Sequence, residues 1–178
     1  LMTSSYKWYG PHAGILFARN GILAEVEPYR VRPADYVGPA RWETGTPSFE
    51  VLAGIKGAAE FMTESDMAVA AEAETALLGR MQDGLAAIDG VTIHGPAVTA
   101  DRAPTLAFSL AGRRPEAVAQ ALAEQRIAAW SGDNYACELV DSLGMREAGG
   151  VVRAGVVRYT NEADVDALLD AVRTLGPA

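Results

Sequence analysis

The sequence predicts an α/β fold whose C-terminal half is a small α+β domain, an antiparallel sheet covered by helices. From residue 90 onward, short apolar runs typical of strands alternate with segments whose apolar residues recur at helical spacing. Residues 46–89 show helical periodicity and separate that region from strand-like runs near the N-terminus. We therefore predict three segments: residues 1–45, connecting long helices at residues 46–89, and a complete small domain at residues 90–178.

The composition is that of a folded globular protein, with 49% hydrophobic and 21% charged residues among 178. The net charge of −8 argues against nucleic acid as a partner, because phosphate binding requires clustered Lys and Arg. No apolar run approaches the ~20 residues of a transmembrane helix, so we expect no membrane partner. The single cysteine cannot form an internal disulfide, which favours a reducing, cytoplasmic compartment.

The first segment is expected to contain two short strands, at residues 1–4 and 13–18. Residues 22–44 contain three prolines and little periodicity, which predicts an irregular connection with at most one short strand. Thr46 is expected to cap the helix that follows, with Pro47 at its first position.

A second, alanine-rich helix over residues 66–87 is expected to lead into the small domain. The predicted strands of that domain lie at residues 91–94, 105–110, 127–130 and 151–157. Its helices are predicted at residues 115–125, after an Asp133 cap and after a Thr160-Asn161 cap. The apolar side chains expected to face the core from the helix after Asp133 are Leu139, Val140 and Leu143.

Lys7 is the first residue that could carry chemistry. It follows the first expected strand, within the segment SSYKWYGP at residues 4–11, where aromatic residues flank it. A lysine in apolar aromatic surroundings loses hydration, which favours the neutral amine needed for Schiff-base chemistry. The alternative interpretation is a surface lysine whose aliphatic stem packs on an aromatic ring.

Gly45, Thr46 and Arg153 are the other candidates for binding. Gly45 and Thr46 lie at an expected helix start, where free N–H groups, a hydroxyl and the helix dipole suit a phosphate; the alternative is an ordinary helix cap. Arg153 lies in an apolar strand, and its planar guanidinium suits a bidentate carboxylate. The alternative is an outward-facing residue paired with a surface acid. His12 and His94 lack metal-ligand spacing, so we expect no metal site.

Three segments taken together are more specific than any single residue. They read SSYKWYGPHAG at residues 4–14, RWETGTP at residues 41–47, and VRAG followed by YTNE within residues 152–162. In this order and at these separations they resemble the lysine segment, the Glu-x-Gly-Thr-Pro segment and the C-terminal arginine signature of the class V aminotransferase and cysteine desulfurase family. The resemblance extends over essentially all of the chain.

The resemblance implies pyridoxal 5′-phosphate as the cofactor. Lys7 would form the Schiff base with it, and Ser4 matches a family residue that bonds the cofactor phosphate. Tyr6 occupies the position of the family's phosphate-contacting histidine, and a phenol can replace that hydrogen bond but not a positive charge.

The resemblance also implies a homodimer and an amino-acid substrate. In the family, the segment that contains Gly45 and Thr46 reaches the cofactor phosphate of the partner subunit, so shared active sites are expected. The arginine that matches Arg153 holds the substrate α-carboxylate. We therefore expect a pyridoxal-phosphate enzyme, an aminotransferase or lyase, that acts on an amino acid.

The residues after the strand predicted at 127–130 bear on the reaction type. The family's desulfurases carry a nucleophilic cysteine in a Thr-Gly-x-x-Cys-Ala segment, but here Tyr135 takes that position and Cys137 follows two residues later. Desulfuration by the usual thiolate route is therefore not expected. Transamination, epimerisation and lyase chemistry remain open. A lone cysteine such as Cys137 is also typical of a small core residue.

By the same resemblance, residues 1–45 are the remnant of the large domain of a fold type I pyridoxal-phosphate transferase. That family places an aspartate paired with the pyridine nitrogen, and a ring-stacking residue, well upstream of the lysine. Only six residues precede Lys7 here, so we expect the C-terminal part of a longer protein. The alternative is a catalytically incomplete fragment, or a dimerisation or binding module, that keeps the motifs without activity.

Overall fold

The computed structural model describes residues 1–33, 37–43, 45–97 and 101–178. These residues form two compact units, Leu1–Met67 and Ala68–Ala178. Helices and antiparallel sheets occur together, which confirms the predicted α/β class. In the part of the chain that is described, no helix is long and apolar enough to cross a membrane. The finer division at residues 45 and 89 stays a prediction.

The N-terminal unit begins with two short antiparallel strands. Strand β1 (Met2–Ser4) pairs with β2 (Gly14–Leu16), with Thr3 opposite Ile15. A single-turn 3₁₀ helix (Ser5–Trp8) follows β1 directly. The elements after β2 are helix α1 (Asn20–Glu25), a second 3₁₀ turn (Pro39–Trp42) and helix α2 (Phe49–Glu64).

Two predictions for this unit are wrong. Helix α1 extends to Glu25, into what was expected to be an irregular connection from residue 22, because a six-residue helix is too short to show a periodic apolar face. Thr46 does not cap α2: Ser48 occupies the N-cap position, and the helix begins at Phe49. Gly45 has a φ of 80°, a left-handed conformation that turns the chain before the helix begins.

The C-terminal unit is a sheet with helices on one face. Among the described residues the sheet has the order β3-β4-β6-β5, and every neighbouring pair is antiparallel. The strands are β3 (Val91–His94), β4 (Thr105–Leu110), β5 (Trp130–Gly132) and β6 (Val151–Gly155). The helices are α3 (Met67–Ala86), α4 (Pro115–Glu124), α5 (Cys137–Ser142) and α6 (Glu162–Leu175). The predicted small antiparallel domain is therefore confirmed, with β5 displaced toward Gly132.

The alternation of side chains along the strands decides which face is buried. Leu106, Phe108 and Val152 have no exposed surface and pack with apolar residues of α3, α4 and α6. Thr105 and Ala107 alternate with them on the opposite face and are half-buried. That opposite face is where Arg153 lies, so the sheet itself separates the core from the candidate site.

Candidate functional site

The segment that bears Lys7 is fixed from within by Ser5. We call residues 5–13, between β1 and β2, the lysine turn. Ser5 is fully buried, and its N–H donates to the carbonyl of Ala13 at 3.0 Å. Its hydroxyl donates to the carbonyl of Pro11 at 2.5 Å, and the N–H of Gly10 donates to the Ser5 carbonyl at 2.8 Å. Ser5 thus joins the two ends of the lysine turn through its backbone and its buried hydroxyl.

Aromatic side chains attach the lysine turn to its surroundings within the N-terminal unit. The indole N–H of Trp8 donates to the hydroxyl of Thr3 in β1 at 3.1 Å. The ring of Tyr9 meets Phe61 of α2 edge-on, with 5.2 Å between centroids. Tyr9 itself has a φ of 72°, so the turn contains a left-handed residue that these contacts maintain. The backbone at Lys7 is therefore tied to β1 and to α2.

These same contacts correct the expected surroundings of the lysine. Trp8 bonds to β1 and Tyr9 packs on α2, so neither ring covers Lys7. Tyr6 is the aromatic residue that remains beside Lys7, with 5.8 Å between the lysine ammonium and the centroid of the tyrosine ring. Lys7 is exposed, so the predicted loss of hydration is wrong for this chain. The sequence shows which aromatic residues flank the lysine but not where their rings point.

Lys7 and Ser4 line one open cavity, of about 550 Å³, formed by the lysine turn and both strands. Of the predicted cofactor ligands, the structure brings these two together. Tyr6 does not line this cavity; its ring stacks on His12 with 5.0 Å between centroids. The amine-bearing Lys7 and the hydroxyl-bearing Thr3 and Ser4 line this cavity, and its other lining residues are apolar or glycine.

Gly45 and Thr46 are exposed and precede α2 instead of beginning it. They do not line the cavity at Lys7, and Thr44 of the same motif lies outside the described residues. The helix-start geometry on which their phosphate role was predicted therefore belongs to Ser48 and Phe49. A role for Gly45 and Thr46 in a partner subunit stays a prediction.

Arg153 lies in the C-terminal unit, on the sheet face opposite the core. The register places it directly between Ala107 of β4 and Trp130 of β5. It is exposed, and no carboxylate of the described residues pairs with it. Arg153 does face outward, as the alternative interpretation required, but the surface ion pair of that interpretation is missing among the described residues, which leaves the guanidinium open to a ligand.

Cys137 begins α5 and is exposed, so the interpretation as a small core residue is wrong. Its thiol donates to a carboxylate oxygen of Asp133 at 3.0 Å. That hydrogen bond and the negative charge of Asp133 raise the pKa of the Cys137 thiol, while Arg146 opposes the effect. The thiol is therefore held toward its protonated, poorly nucleophilic form.

The helix start at α5 also differs from the prediction. Asp133 does not cap α5; its other carboxylate oxygen accepts from the N–H of Tyr135 at 3.0 Å in a local turn. Asn134 and Tyr135 are both left-handed, with φ of 53° and 62°, so the helix cannot begin before this turn ends. Tyr135 is fully exposed.

The inward-facing set predicted for α5 is only partly correct. Val140 is 4% exposed, but Leu139 and Leu143 are 58% and 41% exposed. Because α5 is a single short helix that starts later than predicted, it buries one apolar side chain and not three.

We expect Asp133→Asn to lower the pKa of the Cys137 thiol, because it weakens the hydrogen bond that the thiol donates and removes the negative charge beside it, both of which stabilise the protonated form. At pH 8 the thiol should then react faster with iodoacetamide, as measured by mass spectrometry. Since Cys137 is the single cysteine, all alkylation reports on it. The control is Glu138→Gln, which removes a negative charge from the residue next to Cys137 but keeps the hydrogen bond between the thiol and Asp133. This variant should leave the alkylation rate unchanged. Identical pH profiles for wild type and Asp133→Asn would contradict the assigned cause.

Trp130 is a candidate site residue that the sequence alone did not single out. It is 62% exposed and stands across the strand pair from Arg153. The sequence places a tryptophan at the end of a predicted strand, but it does not show which residue of β6 lies opposite, because that depends on the strand register. Among the described residues there is no group of three His, Cys, Asp or Glu side chains that could hold a metal ion.

Comparison with known proteins gives consistent matches. The aminotransferase class-V family matches residues 1–168. The cysteine desulfurase CsdA of Escherichia coli is 29% identical over 181 residues, covering 95% of this chain and 43% of that protein. An uncharacterized protein of Mycobacterium tuberculosis is 27% identical over 193 residues, covering 97% of this chain and 46% of its own length.

Solved structures agree with these matches. The crystal structure of Escherichia coli CsdA gives a TM-score of 0.85 at 27% identity, covering 97% of this chain and 45% of that one. The apo structure of a cysteine desulfurase from Thermococcus onnurineus NA1 gives a TM-score of 0.84 at 25% identity, with 93% and 44% covered. The chain therefore spans less than half the length of these relatives, in their C-terminal portion.

Proposed function

The chain belongs to the class V aminotransferase family, and from this premise we propose that it supplies the lysine and carboxylate-binding part of a pyridoxal-phosphate enzyme acting on an amino acid. The observation that carries the proposal is Lys7, exposed beside Ser4 in one cavity on a turn that buried Ser5 holds in place. The curated relatives named as cysteine desulfurases support an amino-acid substrate.

The residues at the cavity fit the cofactor that the family implies. A cavity of about 550 Å³ is within the range of small-ligand sites, and an exposed amine beside a hydroxyl suits an aldehyde that carries a phosphate. We assign the amine to Lys7 and one phosphate hydrogen bond to Ser4. Tyr6, Gly45 and Thr46 are proposed as further phosphate ligands, the latter two across a homodimer.

In the proposed mechanism each residue has one task. Pyridoxal phosphate, when bound, supplies an electron sink for negative charge that develops at the substrate Cα. Arg153 binds and orients the α-carboxylate through paired hydrogen bonds. Lys7, once its amine is free, accepts the Cα proton and returns it, since general acid–base catalysis requires a positioned amine of this kind.

We propose that Cys137 is not a nucleophile in this reaction. Thiolates, not thiols, are nucleophilic, and Asp133 raises the pKa of the Cys137 thiol. This observation favours transamination, epimerisation or lyase chemistry over desulfuration by a thiolate. The exposed free thiol also fits the reducing cytoplasm in which we place the protein.

A second candidate function, a dimerisation or binding module without activity, is favoured by a different observation. Apolar side chains on the N-terminal strands and beside them are exposed: Met2 at 80%, Leu16 at 60% and Phe17 at 63%. Such apolar surface is typical of an interface. The two functions are compatible, and the behaviour of Lys7 separates them.

The decisive experiment uses the small number of lysines in the chain. Incubation with pyridoxal phosphate, reduction with borohydride and peptide mapping should label Lys7 in preference to Lys56, the only other lysine. Lys56 is the matched control, because it is 76% exposed and pairs with Glu60 on the surface of α2. We expect Lys7→Arg to lose the preferential label, Lys56→Arg to keep it, and Ser4→Ala to weaken it.

Pyridoxal without phosphate tests the binding of the phosphate group. The preference for labelling Lys7 should decrease with this probe, because pyridoxal lacks the phosphate that would accept a hydrogen bond from the Ser4 hydroxyl. Equal labelling of Lys7 and Lys56 by pyridoxal phosphate would overturn the proposed function for this chain and leave the dimerisation module as the better description.

A further inference from the structure

The strand register gives Arg153 two unlike neighbours. Ala107 stands opposite it on β4 and Trp130 stands opposite it on β5, on the sheet face away from the core. Neighbouring strands are separated by roughly 4.8 Å, so directly opposed side chains stand side by side. Arg153 is therefore flanked by one small residue and one large aromatic residue.

An open cavity of about 340 Å³ is lined by both Arg153 and Trp130. Of the described residues that line it, only Thr105 and Arg153 carry a hydroxyl or a charge. The remaining lining is apolar or glycine: Ala128, Ala129, Trp130, Gly155, Val156 and Val157. Arg153 thus contributes a single positive charge at the edge of an apolar surface.

Each of these features indicates part of a ligand. Arg153 has no acidic partner among the described residues, and an unpaired guanidinium favours a planar anion with two oxygens. Trp130 is 62% exposed, and covering such a ring with an apolar group is favourable because the apolar surface leaves water. A ligand that joins a carboxylate to a large apolar group satisfies both, whereas a small polar amino acid leaves the ring exposed.

We propose that Trp130 determines the specificity of the carboxylate site at Arg153, and that this site takes a carboxylate joined to a large apolar or aromatic group. The inference rests on the proposed function in one respect, since there the ligand is the amino-acid substrate. The substrate class is then an α-amino acid with a large apolar side chain. Trp130 acts by contact with that side chain, and Arg153 acts on the carboxylate.

The test uses ligand binding to the 178-residue chain, without cofactor, by saturation-transfer NMR. The probes are 3-phenylpropionate, acetate and phenethylamine, which carry both groups, the carboxylate alone and the aromatic ring alone. We expect 3-phenylpropionate to bind roughly tenfold more tightly than acetate, the effect of one well-placed aromatic contact. Phenethylamine should not bind, because Arg153 repels its ammonium group.

Variants assign the two contributions. Arg153→Gln should abolish binding of both carboxylates, and Arg19→Gln, an exposed arginine of the other unit, should change nothing. Trp130→Ala should bring 3-phenylpropionate down to the affinity of acetate, while Trp130→Phe should keep most of the difference. Equal affinities for the two carboxylates in the wild-type chain, or undiminished binding to Arg153→Gln, would overturn the proposal.

The outcome is separable from that of the Lys7 labelling. Selective binding of 3-phenylpropionate with no preference for Lys7 would disprove the proposed function and support the carboxylate site. Preferential labelling of Lys7 with equal binding of both carboxylates would disprove the role of Trp130 alone.

Discussion

Replacing Gly150 with alanine is expected to lower the free energy of unfolding of the chain by more than about 3 kcal/mol. An added Cβ at Gly150 would lie within 2.3 Å of the carbonyl carbon of Gly132 and 2.9 Å from the nitrogen of Asp133. These are backbone atoms that no rotamer change can move away. Gly150 also has a φ of 90°, a conformation that side chains disfavour.

The effect should extend to the candidate site, because Gly132 belongs to β5 and pairs with Val151. Separating the backbones at this point displaces Trp130 from Arg153. Thermal unfolding should show a decrease in Tm of about 6–12 °C, and 3-phenylpropionate binding should be lost in the folded variant.

Gly144→Ala is the matched control for Gly150→Ala. Gly144 has a φ of 69°, but an added Cβ there meets no atom within 4 Å, so this variant carries the conformational strain without the collision. It should cost about 1 kcal/mol. If both variants unfold at the same temperature, the collision with the Gly132 backbone does not destabilise Gly150→Ala and the prediction is wrong.

Gly10→Ala is expected to disrupt the lysine turn and remove the preferential labelling of Lys7. The new Cβ would lie 2.7 Å from the Ser5 Cβ and 3.0 Å from the Ser5 carbonyl oxygen. Because Ser5 is fully buried and holds both sides of the turn, it cannot move without displacing Lys7. We expect a loss of roughly 1–3 kcal/mol in stability, as for other overpacked positions.

Borohydride labelling and peptide mapping measure this effect directly. Gly57→Ala is the matched control, since Gly57 lies in α2 of the same unit, does not line the cavity at Lys7, and its added Cβ would meet no atom within 4 Å. The control should keep the label on Lys7. Undiminished preference for Lys7 in a folded Gly10→Ala variant would show that the buried Ser5 does not position the lysine.

Predictions from the sequence succeeded where local pattern is sufficient. The cap of α6 is an example: Asn161, part of the predicted Thr160-Asn161 cap, is the N-cap residue, and its side chain accepts a hydrogen bond from the N–H of Asp164 at 3.1 Å. The buried stripe of that helix also follows from spacing alone, with Val165 and Val172 at 2% and 0% exposure. The late start of α2 was missed, because the left-handed Gly45 can be recognised only from its backbone angles.

Residue type and motif order by themselves determined the family of this protein, and they pointed to Lys7 and Arg153 as its chemical groups. An amine and a guanidinium have fixed chemistry wherever the chain places them. The surroundings of both were decided by the tertiary structure. The buried Ser5 fixes the turn that carries Lys7, and Trp130 lies beside Arg153. The first comes from hydrogen bonds that close the lysine turn on itself, and the second comes from strand register, in which a shift of one residue moves a side chain to the opposite face of the sheet.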